Sequence, residues 1–221
     1  MNNVLCVFLL GILSSSAFAL KMPGLPGGGG DDAKEESTGV SASDAQEAVV
    51  SDFKIAFGLV VEAQGHVAEA LGLKTIADER RAGAERLSGD DCAASCLEET
   101  KEASAEAMKK IQESMDASSN LDDAGKAILS RAFAPLVKGT LKMAQLAPKA
   151  KDWAKSASAE IKEAGIRGAG KMKKKFATGL YIAKTTPKLM KQWGTTTSQI
   201  VSFGKKMGVS TDGASGSEME G

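Results

Sequence analysis

Between Ser43 and Gly72 the side chains Val49, Phe53, Phe57, Val60, Val67 and Leu71 return at steps of four, four, three, seven and four. That spacing places them on one stripe of a helix, and the stripe leaves water only if other elements cover it. The same period governs the rest of the chain, and no stretch alternates apolar and polar residues with period two. The pattern predicts an all-α fold, a multi-helix bundle of six or seven helices with short connections.

Ser43 followed by Gln46 has the form of a capping box, and Gly72 suits the C-terminal end of the first helix. A second helix, "TIADERRAGAERLSG", stops at Gly89. The third is expected from Cys96 to Ala117, with Leu97, Met108, Ile111 and Met115 on its buried side. Asn120 is the expected cap of the fourth, with Asp122 and Asp123 in its first turn, where the helix dipole favours acids. Its stripe reads Ala124, Ile128, Ala132, Leu136, Gly139 and Met143, with a kink at Pro135. Pro148 is expected to open a further helix carrying Trp153, Ala157 and Ile161. "GIRGAG" follows as a loop before Lys171. Pro187 is expected to open the last helix, with Leu189, Trp193, Ile200, Phe203 and Met207 on one face.

The first nineteen residues form a different kind of segment. An apolar run from Val4 to Leu13, a group of serines and Ala17-Phe18-Ala19 make the pattern of a secretory signal peptide over residues 1–19, cut after Ala19. The run is half the length a bilayer-spanning helix needs, roughly 20 residues. Cys6 leaves with it. Residues 20–40, with Pro23, Pro26 and four consecutive glycines, read as a flexible linker. The bundle domain is expected over 41–208, and 209–221 reads as a disordered tail. The expected location is outside the cytoplasm, periplasmic or secreted.

The zero net charge of the chain conceals a division. Leu20 to Asp123 carries 10 basic and 22 acidic residues, a net of −12, and Ala124 to Gly221 carries 18 and 6, a net of +12. Either packed helices use this complementarity within the molecule, or a basic face remains for an acidic partner. The densest basic cluster is Lys171, Lys173, Lys174 and Lys175, just before Phe176, Leu180, Tyr181 and Ile182. One reading is a solvated turn facing the acidic half. The other is a contact for anionic lipid or polysaccharide, since cations ahead of an apolar segment suit a membrane surface. Nucleic acid is not an expected partner of an exported chain with zero net charge.

"GDDCAASCLEE" holds Cys92 and Cys96, the two cysteines that remain after residue 19. Four residues apart on a helix, their Cα atoms lie roughly 6.2 Å apart, within the range a disulfide spans. An oxidising compartment favours that bond, so the pair is read as a disulfide tying the second and third helices. A redox dithiol would be spaced CxxC after a strand, and a metal site would need further ligands. His66, the single histidine, has no orienting partner in its neighbourhood and reads as a packing residue. Asp90-Asp91 and Asp122-Asp123 read as helix-start charges. "GLPGGGG" lacks the strand and lysine of a phosphate loop. No catalytic residue, metal ligand or cofactor site is expected.

Four segments, "VAEALGLK", "SAEAMKKIQ", "LAPKAKDWA" and "GLYIAKTTPKL", taken in this order, resemble a family of uncharacterised exported all-helical proteins of proteobacteria. The resemblance runs over about residues 50 to 207 and implies an envelope location and a helical fold. It brings no activity and no site residues, and the cysteine pair stands outside its pattern. The resulting expectation is a non-enzymatic exported protein that meets a protein partner in the envelope through a helical face. The alternative is a membrane-active or lipid-binding helical protein docking on anionic lipid through the lysine cluster.

Overall fold

Ser41 opens the first helix: its hydroxyl accepts the Asp44 N–H at 3.3 Å and donates to the Asp44 carboxylate at 2.8 Å. This exchange lies two residues before the expected Ser43–Gln46 box, because Asp44 supplies the acid three positions after the cap. The computed structural model describes residues 41–211; the expected signal peptide 1–19, the linker 20–40 and residues 212–221 of the tail lie outside them. Among the described residues there are six helices and no strand: α1 (Ala42–Ala70), α2 (Lys74–Ser88), α3 (Ala94–Ala117), α4 (Asp123–Glu163), α5 (Gly165–Lys175) and α6 (Ala177–Lys206). The expected all-α bundle is the fold.

Helix α1 is the centre. Its stripe is buried from Val49 to Val67, and α4 lies antiparallel along it. The start of α1 meets the end of α4, where Trp153 Nε1 donates to the Ala42 carbonyl at 2.7 Å. The end of α1 meets the start of α4, where Gly125 sits against the Ala70 carbonyl. Gly72 ends α1 at φ 74°, a left-handed turn that glycine adopts without steric cost, and Leu73 N–H closes it on the Ala68 carbonyl at 2.8 Å. Helix α2 then returns along α1, α3 packs beside both, and α6 runs back along α4. Phe57 of α1 and Trp193 of α6 meet with ring centroids 5.2 Å apart, completing a core with Phe53, Phe133, Leu136 and Met143.

Two prolines expected at helix boundaries are not there. Pro148 does not open a helix and Pro187 does not open α6: both lie inside continuous helices, as Pro135 does. Each proline frees the carbonyl four residues before it. Pro148 and Pro187 are exposed and Pro135 is half-buried, and the freed carbonyls belong to exposed Arg131 and Ala144 and half-buried Ala183. Water reaches that side of the helices, while Leu136, Met143, Leu146 and Trp153 hold the other side to the core. Packing outweighs the local break.

The "GIRGAG" stretch is not a loop but the start of α5, and its first residue, Gly165 at φ 62°, marks the break from α4. Asp122, not Asn120, caps α4, accepting the Gly125 N–H at 2.7 Å. The buried row of α4 therefore begins with Gly125 and Leu129, leaving Ala124 exposed and Ile128 half-buried. The stripes foreseen in α3 and α6 are buried as expected. The packed region reaches one residue past 208, since Val209 is buried and its N–H bonds to the Gly204 carbonyl at 2.9 Å.

Candidate functional site

Cys92 lies in the turn after α2 and Cys96 in the first turn of α3, with Cα atoms 5.2 Å apart and sulfurs at disulfide-bonding distance. Both are buried. Helix α3 begins at Ala94, before Cys96, and it has no acidic residue in its first turn. Asp90 and Asp91 therefore do not cap it; Asp90 instead lines a cleft.

That cleft, of about 790 Å³, follows the outer face of α1 and is walled by the end of α2 and the cysteine turn. Its floor is apolar: Val50, Leu59, Leu87 and Ile55, the last of these 49% exposed. Glu47, Glu62 and Asp90 stand among the lining residues. The one cation there, Lys54, donates its ammonium to the Gly89 carbonyl at 2.8 Å and so braces the turn. Gly58 keeps the middle of the floor low, with open space where a Cβ would stand. The lining includes no histidine and no free thiol. Periodicity could not announce this cleft, because an apolar residue on the water side of a helix looks like noise until its neighbours are known.

His66 turns toward Glu62, with 3.9 Å between Nε2 and the carboxylate, and its Nδ1 is buried without a partner. Arg80 is almost wholly buried between α1 and α2, with no partner for Nε or Nη1, and burial pushes its guanidinium below the ordinary value. Ser104 donates to the Gln64 carbonyl oxygen at 2.9 Å nearby in the α1–α3 contact. Among the described residues no three His, Cys, Asp or Glu side chains are grouped closely enough to hold a metal ion. No described helix is long and apolar enough to cross a membrane.

The predicted lysines all lie on α5. Lys171, Lys173, Lys174 and Lys175 are exposed, and among the described residues none pairs with a carboxylate. They lie on a helix and not in a turn; among the described residues the ion pair that joins the two halves is Lys149 with Asp52 at 3.2 Å. Lys175 differs from the other three, since its ammonium sits 6.0 Å from the centre of the Phe176 ring. Gln46 of α1 donates to the Lys175 carbonyl at 3.2 Å, which fixes the end of α5 near one end of the cleft. The structure does not bring the lysines and the cysteines into one site. Comparison with family models, with curated proteins and with solved structures finds no match, so the resemblance to exported helical proteins is carried by its four segments alone.

Proposed function

We propose that the protein is a non-enzymatic, exported helical module of the bacterial envelope that binds a protein partner along the open face of α1. One observation carries this reading: the cleft has an apolar floor left in water, with Ile55 half exposed at its centre, and an acidic lining whose single lysine is engaged. A large apolar side chain in a hollow surrounded by one sign of charge fits a segment of the opposite pattern. The partner is a basic amphipathic helix: its apolar side covers Ile55, Val50 and Leu59, and its cations meet Glu47, Glu62 and Asp90. Export rests on the signal pattern of residues 1–19, and the envelope location on that pattern and the resemblance.

Titration with a synthetic amphipathic helix of leucine and lysine tests the reading, with a leucine and glutamate helix as control. Binding of the basic helix alone is expected. Ile55→Asp should weaken it by about tenfold or more, the scale set by one buried aliphatic side chain. Equal affinity for both helices, or binding unchanged by Ile55→Asp, removes the proposal.

A further inference from the structure

We propose that α5 is an interfacial helix that docks the protein on an anionic lipid bilayer. Its eleven residues carry five cations, Arg167, Lys171, Lys173, Lys174 and Lys175, and no acid. None of its residues is buried. Arg167, Lys171 and Lys174 follow one another at steps of four and three, which makes a continuous basic row on the exposed side. The adjoining row begins with Ile166, which is as exposed as an isolated residue.

Helix α5 is anchored toward its lysine end, where Met172 packs against the core. Phe176, directly after it, is completely buried and stands edge-on to Trp153 with centroids 5.8 Å apart. At the other end Gly165 breaks the backbone at φ 62° with open space around it. The helix is thus held to the bundle at the lysine end, and it presents Ile166 at the other.

The combination selects the partner. A nucleic acid would satisfy the cations and leave Ile166 in water. An acidic protein surface would have to supply a pocket for an isoleucine among carboxylates. A bilayer surface takes both, because headgroup phosphates meet the lysines while the aliphatic side chain enters the acyl boundary. The seam between α4 and α6, the two helices that α5 joins, repeats this chemistry: a hollow of about 510 Å³ has an apolar floor of Pro148, Ala154, Leu180 and Ala183, with Lys151 and Lys184 at its edge.

Vesicle flotation tests the proposal independently of the α1 cleft. The chain from Leu20 onward is expected to float with vesicles of phosphatidylcholine and phosphatidylglycerol at low salt, to be released at high salt, and to ignore phosphatidylcholine alone. Lys171→Gln, Lys173→Gln and Lys174→Gln together should weaken binding about a hundredfold, the scale set by three cations near a charged surface. Ile166→Ser should weaken vesicle binding about tenfold while leaving retention on heparin within about twofold, because only the bilayer contact uses the apolar tip and the charge is unchanged. Since Ile166, Lys171, Lys173 and Lys174 are all exposed, these variants should keep the circular dichroism and melting point of the parent. Equal binding to neutral vesicles, or a triple variant that floats like the parent, overturns the proposal. Retention on heparin without flotation overturns it too, and assigns the cations to a soluble polyanion.

Discussion

Gly139 of α4 lies against the carbonyl of Ala56 in α1, so closely that a Cβ at Gly139 would stand 2.8 Å from that oxygen and 2.9 Å from Val60 Cγ2. This crossing sets how near the two central helices come. Replacing Gly139 with alanine should gain about 1 kcal/mol of helix propensity. The backbone of α1 cannot move aside as a side chain could, so the overlap should cost about 1–3 kcal/mol. Gly194 has open space at the same point on its residue. Urea unfolding followed at 222 nm should therefore show a net loss for Gly139→Ala and a gain for Gly194→Ala; a gain at both would mean that α1 and α4 are not in contact there.

Arg80 occupies an interior position with no ion-pair partner among the described residues, and two of its nitrogens are buried there without hydrogen bonds. A methionine of similar length keeps the packing of the side-chain stem and removes the unpaired donors. Arg80→Met is expected to stabilise the fold by about 1–3 kcal/mol. A lower urea midpoint for this variant would show that the guanidinium is satisfied in solution.

Tyr181 is the single tyrosine of the chain, so its ionisation can be followed by absorbance without interference from another. Burial and the neighbouring Glu98 carboxylate push its phenol well above the ordinary value of 10, and the Lys101 ammonium lies 5.9 Å from the ring centre. A proton held more tightly in the folded state gives stability that is complete below the unfolded pKa and lost as pH rises above it. The phenolate band is expected to be absent in the folded protein just above pH 10, while stability falls over the same range. A normal titration at constant helicity would contradict this placement.

The ring closed by Cys92 and Cys96 spans few residues, so it restricts the unfolded chain only modestly. Cys92→Ala with Cys96→Ala should lower stability by about 2 kcal/mol by the loop-entropy relation. Helix content should be unchanged, since α2 and α3 have packed stripes of their own. Loss of the fold on reduction would give this link a larger part than its size predicts.

The stripes of α1, α3 and α6 were readable because a buried row repeats within one helix, where spacing alone reveals it. The breaks at Pro148 and Pro187 were misread for the opposite reason. Whether a proline ends a helix depends on whether its freed carbonyl reaches water and whether the next turn is packed, and both are set by distant residues. The lysines of α5 are legible as a cluster, but their lack of a carboxylate partner among the described residues is not, because pairing is a property of the folded arrangement. Ile55 and Ile166 carried no signal at all. Each lies off any buried row, and only its surroundings distinguish it from an ordinary surface position.

The helix at the heart of the molecule is also the first of the described helices to leave the ribosome. Phe57 and Val60 meet Trp193 of α6 and Gly139 of α4, helices that begin at Ala177 and Asp123. Until those later segments emerge, only α2 lies along the earliest-made helix, and closure must wait for contacts between distant parts of the chain. A polypeptide arranged this way stays unfinished during synthesis and locks only once nearly all of it has emerged.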